Sequence, residues 1–338
     1  ESVAVIISHE GYIKRLPLTS YRKQHRGGKG VAGADMKEGD FIEHLFVAST
    51  HDYILFFTDQ GRVYWLKVYD VPQMARTSKG RALINLLELN EDENVTSLIP
   101  VRDFGERQLV MATSSGIIKK TVLSAYGNPK KGGIIAINLD EGDELIGVKL
   151  TNGKQDIILG TEQGKAMRFS EENVRTMGRA THGVKGIKLK EDDKVRDIVI
   201  VDEHASLLSV CENGFGKRTD FGEYPVHHRG GQGVINIKTT DRNGKVVALI
   251  DVRDEDELIM ITSKGKVMRT PVNAIRAIGR NTQGVTLFSI DEGDKLVSVA
   301  RVVPEEIKAE EGDEEEVLKG EPDEEKIVEE GTQEEHEE

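Results

Sequence analysis

Residues 4–11 read AVIISHEG, an apolar run that closes on a glycine. The same eight-residue phrase returns as ILFFTDQG at 54–61, LVMATSSG at 109–116, IILGTEQG at 157–164, LLSVCENG at 207–214 and LIMITSKG at 258–265. The closing glycines are Gly11, Gly61, Gly116, Gly164, Gly214 and Gly265, in steps of 50, 55, 48, 50 and 51 residues. A second glycine follows each: Gly30, Gly80, Gly133, Gly183, Gly233 and Gly284, at 19 residues in five repeats and 17 in the third. Six copies of one supersecondary unit must share a core by packing on their neighbours.

Each unit opens with a run rich in Val, Ile, Leu and Thr, turns at glycine, and continues in a second, apolar-basic run. Examples are Tyr12-Ile13-Lys14-Arg15, Ile117-Ile118-Lys119-Lys120 and Val267-Met268-Arg269-Thr270. β-favouring residues flanking a turn that wants positive φ predict a hairpin. Two further apolar stretches complete a unit, such as Leu86 to Leu89 and Val95 to Val101. Four strands in about 50 residues is the size of a propeller-type blade. Six blades closing into a ring would remove long exposed edges, although periodicity alone also permits a linear array. The predicted fold class is all-β and six-bladed, with repeats at about 1–50, 51–105, 106–152, 153–202, 203–254 and 255–303. No segment sustains a helical period over several turns.

Composition divides the chain once. Residues 304–338 hold eighteen Asp or Glu against three Lys, with no periodic apolar face. Such a segment does not bury enough surface to offset its ordering entropy, and it is predicted to be a disordered acidic tail. The whole chain carries −13, so the repeat body, with 43 basic and 41 acidic residues, is close to neutral. The single cysteine, Cys211, occupies the phrase position held elsewhere by Ser8, Thr58, Thr113, Thr161 and Thr262, which favours a packing role. One cysteine permits no intrachain disulfide and fits a reducing compartment. No apolar run reaches the length of a membrane span and no signal peptide is visible. The opening at Glu1, without methionine, suggests a domain of a larger protein.

Charge is sorted by position in the repeat. A cationic loop precedes each second glycine: Arg22, Lys23, Arg26 and Lys29; Arg76 and Lys79; Lys130 and Lys131; Arg175 and Arg179; His227, His228 and Arg229; Arg276 and Arg280. Equivalent positions in stacked repeats fall at equivalent places around a ring, so these loops should line one track. A cationic band on a rim suits a long polyanion, because each neutralised phosphate releases counterions. Ten residues after the second glycine four units place Asp40, Asp143, Asp193 and Asp294. Their acidic turns lack calcium-loop spacing and are read as plain solvent-facing turns. No catalytic triad or metal-ligand cluster is apparent.

The first cationic loop reads Gln24-His25-Arg26-Gly27-Gly28-Lys29-Gly30. Its glycines allow a partner close to the backbone, and Arg26 and Lys29 suit phosphate oxygens. It is not a P-loop, because Lys29 is followed by glycine and no helix follows. The stretch resembles the gyrase A box, the Q-R-R-G-G-K-G signature of the gyrase A C-terminal domain, at six of seven positions. His25 stands where the signature has its first arginine, and imidazole titrates near neutral pH. The sixfold repeat and acidic tail resemble that family too, and the likeness covers nearly the whole chain. His227-His228-Arg229-Gly230-Gly231-Gln232-Gly233 is a partial echo in the fifth repeat.

The resemblance implies a six-bladed β-pinwheel that wraps duplex DNA around its outer rim, so that gyrase introduces negative supercoils. It implies that the box residues contact DNA and that the domain itself needs no cofactor. The catalytic tyrosine, and ATP and Mg, then belong to the rest of the gyrase A polypeptide and to its gyrase B partner in a cytoplasmic, nucleoid-associated enzyme. The isolated domain is expected to be monomeric and to catalyse nothing alone. The acidic tail could compete with DNA for the rim. Two alternatives stay open: the related domain of topoisomerase IV, and a protein-interaction propeller.

Overall fold

All six phrases form strands in the computed structural model, which describes residues 1–17, 40–128 and 130–302. The phrase strands are Ser2–Ser8, Tyr53–Thr58, Gln108–Thr113, Asp156–Thr161, Ser206–Cys211 and Glu257–Thr262. Each turns at its glycine into a second strand: Tyr12–Pro17, Arg62–Lys67, Ile117–Val122, Lys165–Ser170, Phe215–Asp220 and Val267–Pro271. On its other side it pairs antiparallel with the last strand of its repeat: Ile42–Ser49, Val95–Val101, Leu145–Thr151, Val195–Ile200, Val246–Val252 or Leu296–Val302. The phrase strand is thus internal to its sheet. It is buried on both faces, as Val3, Ala4, Val5, Ile6 and Ile7 are, which is why it reads as an unbroken apolar run. No α-helix occurs among the described residues; short 3₁₀ turns follow the second strands of repeats 2 to 6.

The serine or threonine of the phrase has a local task. At Ser8, Thr58, Thr113, Thr161, Cys211 and Thr262 the register with the last strand slips by one residue. In five repeats the hydroxyl accepts the amide hydrogen four residues on, Tyr12 to Ser8 Oγ at 3.2 Å being one case. Cys211 fills the sixth site without that bond. It is inaccessible, and burial pushes its thiol up to about 12, so it is a packing residue.

The fourth strand of each complete sheet belongs to the following repeat. Arg81–Ala82 pairs with Tyr12–Pro17, and Ile134–Ile135 with Arg62–Lys67. Val184–Lys185, Val234–Ile235 and Val285–Thr286 join the third, fourth and fifth sheets in the same way. The sequence repeat is therefore not the blade. Five sheets have four strands, and the sixth has three among the described residues. The second glycine makes the crossing possible. Gly80 has φ +98°, and a Cβ there would lie 2.9 Å from the Ile13 carbonyl oxygen.

Hydrophobic clusters lie between consecutive sheets. Val3, Ile7 and Ile13 meet Ile54, Phe56 and Tyr64 between the first and second, and four similar clusters follow. Phe41 packs on Ile259 and Ala300, so the sixth sheet returns to the first and the array is a ring. The last strands of the repeats face inward around a cavity of about 500 Å³ whose lining includes Ser97, Lys149, Asp197 and Asp251. The second and crossing strands make the outer edge.

Candidate nucleic-acid interface

The outer edge is built by each of repeats 2 to 6 reaching back over its predecessor. After its second strand and 3₁₀ turn, the chain runs beside the second strand of the preceding sheet before it crosses. The amides of Met74, Met177, His227 and Ile278 donate to the carbonyls of Arg15, Lys120, Arg168 and Arg218. Those same four residues send their side chains the other way. Arg15 Nε donates to Val71 O (2.7 Å), Lys120 Nζ to Glu171 O (2.8 Å), Arg168 Nη1 to Phe221 O (2.8 Å) and Arg218 Nε to Ile275 O (2.6 Å). In the second repeat Trp65 Nε1 does the same to Tyr126 O at 2.8 Å. These cations are committed to carbonyls, and the sequence signal for them is the position four residues beyond the phrase glycine.

The cationic loops occupy this edge. From the end of the 3₁₀ turn to the second glycine, the stretches 71–80, 127–133, 174–183, 224–233 and 275–284 contain no Asp or Glu. Their basic side chains fall into two groups. Lys130, Arg175, His227 and Arg276 are exposed. Lys131 is 89 % exposed and pairs with Glu88 at 2.9 Å, a surface contact that a phosphate can displace. The second group is tethered. Arg179 Nη1 donates to Ile135 O, Arg229 to Asn173 O and Lys185 O, and Arg280 to Glu223 O and Ile235 O. Ile135, Lys185 and Ile235 belong to the crossing strands, so these arginines fasten one loop to its neighbour's strand. His228 Nδ1 bonds Asn173 Oδ1 at 2.9 Å. Lys79 lies 3.7 Å from the centre of the Tyr12 ring and 3.6 Å from Glu10. Arg76 is half-buried. Arg22, Lys23 and the Gln24-His25-Arg26-Gly27-Gly28-Lys29-Gly30 stretch lie outside the described residues.

The acidic turns differ from the reading of plain solvent-facing turns. Asp143 accepts from Ser114 Oγ and from the amides of Ser115 and Glu144, Asp193 from the amides of Gln163 and Lys194, and Asp294 from Ser263 Oγ and the amides of Lys264 and Lys295. Asp40 accepts from the amides of Glu10 and Phe41. Each carboxylate pins the start of a last strand to a hairpin turn. Burial pushes Asp294 up, but the Thr262 and Ser263 hydroxyls and two amides outweigh it and hold the group at about 2.

The inner cavity has mixed charge. Asp197, enclosed by the last strands, accepts the Leu249 amide at 2.8 Å, and burial raises its carboxyl to about 6 against the pull of that bond, Arg196 and Lys149. Arg196 Nε donates to Val247 O at 2.8 Å. No group of three or more His, Cys, Asp or Glu with metal-binding geometry occurs among the described residues.

A closed ring of strand-exchanged blades, with one acid-free cationic loop on the outer edge of each of five described repeats, defines a β-propeller that displays its chemistry on the circumference. The sequence matches the family described as "DNA gyrase C-terminal domain, beta-propeller" at residues 4–49, 52–102, 107–152, 155–202, 206–253 and 256–302, and the chain belongs to that family. It is 49 % identical over 303 residues to the DNA gyrase A protein of Salmonella typhimurium strain LT2, covering 89 % of this chain and 34 % of that protein. The gyrase A protein of Escherichia coli K12 is 47 % identical over 303 residues, with 89 % and 35 % covered. The chain thus spans about a third of the length of these relatives. Among solved structures, the C-terminal domain of DNA topoisomerase IV superimposes with a TM-score of 0.80 at 26 % identity, covering 89 % of this chain and 93 % of that one. A DNA gyrase A C-terminal domain superimposes with 0.67 at 29 % identity, covering 90 % and 100 %.

Proposed function

We propose that this domain binds, bends and wraps duplex DNA around its outer edge with little sequence preference, and so serves negative supercoiling by gyrase. The observation that carries the reading is the registered set of acid-free cationic loops on the outermost chain of successive blades. Duplex DNA is stiff over about 150 base pairs, so a tight bend costs several kcal/mol. One loop does not offset that, whereas contacts distributed over several blades do. Backbone contacts position the duplex and carry little base information, which gives a salt-sensitive, sequence-tolerant binder. Gln24, His25, Arg26, Gly27, Gly28, Lys29 and Gly30 hold one end of the path, and the exposed cations of the other loops guide the rest.

In this reading the partners are duplex DNA, the remainder of the gyrase A polypeptide, and the gyrase B protein. The strand-cutting tyrosine and the ATP site lie outside this chain, and the domain is a monomeric, non-catalytic module of a cytoplasmic, nucleoid-associated enzyme. Residues 304–338, near −15, compete with DNA for the rim. The topoisomerase IV alternative has structural likeness in its favour; the sequence identity to gyrase A proteins supports gyrase.

The test is bending of a short end-labelled duplex, followed by fluorescence transfer across a salt series, for the full chain and for residues 1–303. The expected result is salt-sensitive approach of the DNA ends, stronger without the tail. Absence of binding by either at low salt would discard the rim in favour of a protein-interaction propeller.

A further inference from the structure

In three repeats a lysine is almost wholly buried three residues past the phrase glycine: Lys14, Lys119 and Lys217. Each amino group is aimed into the loop that the following repeat lays over the blade. Lys14 Nζ donates to the carbonyls of Arg76 and Ser78, the latter at 2.6 Å. Lys119 Nζ donates to Arg179 O and, at 2.7 Å, to Ala136 O. Lys217 Nζ donates to Gly279 O (2.7 Å) and Arg280 O (2.6 Å). In every case one acceptor is the backbone of a rim arginine: Arg76, Arg179 or Arg280.

The intervening repeats show what the position holds when it does not reach out. They carry Tyr64, Met167 and Met268. The Tyr64 ring lies against Gly133, and the Met167 methyl is 3.3 Å from where a Gly231 Cβ would be. The loops of repeats 3 and 5 are therefore backed by packing alone at this point, while those of repeats 2, 4 and 6 are held by hydrogen bonds. Burying an amine is unfavourable, and burial lowers Lys119 to about 7 and Lys217 to about 8. Methionine, of similar length, already serves two repeats. What lysine adds is a set of N–H donors at the carbonyls beside the rim cations.

We propose that Lys14, Lys119 and Lys217 are positioning residues of the outer edge, each fixing the backbone at a rim arginine so that alternate loops are pre-ordered for the phosphates of a wrapped duplex. Ordering a loop beforehand removes that entropy from the binding step. The proposal rests on the DNA-wrapping reading and adds to it a division of labour among the blades, three loops with a buried amine behind them and two without one.

The test is Lys119→Met in the full chain, which copies the residue of repeats 4 and 6. The Met177 amide, bonded to Lys120 O in the loop of repeat 4, reports anchoring, and the His227 amide, bonded to Arg168 O in the loop of repeat 5, is the internal control. Hydrogen exchange at Met177 should quicken at least about tenfold while His227 stays unchanged. The salt dependence of DNA affinity should flatten by about one to two phosphate contacts, with weaker duplex bending. Unchanged Met177 exchange overturns the proposal. So does faster exchange with the same bending and salt slope, or a lower melting temperature alone. If this variant does not fold, Lys217→Met is read at the Ile278 amide, bonded to Arg218 O. Failure of both to fold also overturns the proposal, since the lysines would then be core residues. Should the unaltered protein bend no DNA, the wrapping reading fails by itself, and Met177 exchange still decides whether Lys119 anchors the loop.

Discussion

Replacing Lys130, Arg175 and Arg276 together by glutamine separates phosphate contact from loop architecture. All three are exposed and lie in the loops of repeats 3, 4 and 6, and their side chains enter no hydrogen bond or ion pair among the described residues. Each phosphate neutralised by a cation adds about 0.9 to the slope of log affinity against log salt, so the triple variant should lose about 2.7 from that slope. Over a fourfold rise in salt the unaltered protein should then lose about 40-fold more affinity than the variant. Stability should stay within about 0.5 kcal/mol, because no buried contact is removed. The contrast is Arg280→Gln, which breaks bonds of 2.6 and 2.7 Å to the carbonyls of Glu223 and Ile235. That change should cost about 1–3 kcal/mol in urea unfolding. Anisotropy of a labelled duplex across a salt series, paired with urea titrations, reads both. An unchanged slope in a folded triple variant would refute the reasoning, and so would an Arg280→Gln protein of undiminished stability.

Glu93, nearly inaccessible, accepts from Thr58 Oγ1 (2.6 Å), Tyr64 Oη (2.7 Å) and the Asn90 amide (2.6 Å). Glu93→Ala should therefore destabilise by about 2–4 kcal/mol in urea, and a loss below about 0.5 kcal/mol would contradict the network. Asp294 has a folded-state value of about 2 against an ordinary 3.8. Its contribution is whole above the ordinary value and is lost as pH falls toward about 2, so the stability difference from Asp294→Asn should shrink between pH 4 and 2. Lys119 runs the other way, because unfolded it keeps its proton up to about 10.5 and folded it releases it near 7. The unfolded state binds more protons across that window, so stability relative to Lys119→Met should rise with pH there; a flat difference in melting temperature would count against the shift.

The ring was legible because the apolar phrase keeps its length and its glycine in all six repeats, and burial on both faces writes itself as an unbroken hydrophobic run. The strand exchange was not. Crossing strands such as Arg81–Ala82 are two residues long and pair with a strand some 70 positions earlier, so neither periodicity nor propensity marks them. Only the second glycine gave a hint, and its reason, the close approach of Gly80 to the Ile13 carbonyl, is tertiary. The rim cations could be placed by position, but exposed Arg175 and tethered Arg179 look alike in a sequence. Lys14, Lys119 and Lys217 read as ordinary strand cations because burial among carbonyls depends on a loop from the next repeat. The acidic turns misled for a similar reason: their amide donors sit across the turn, about 30 residues away.

The exchange also sets an order of events during synthesis. When Val101 has left the ribosome, the second repeat is fully translated, yet its blade still lacks an outer strand until Ile134 and Ile135 emerge. A nascent chain therefore always carries one unfinished sheet edge at its growing end, the kind of edge that pairs with foreign strands. The stretch that seals that edge is short, glycine-led and preceded by a loop without acidic side chains. Sealing is thus delayed by about 32 to 34 residues at each described step, and a translational pause placed between repeats would expose an open blade, whereas one placed just past a crossing strand would not.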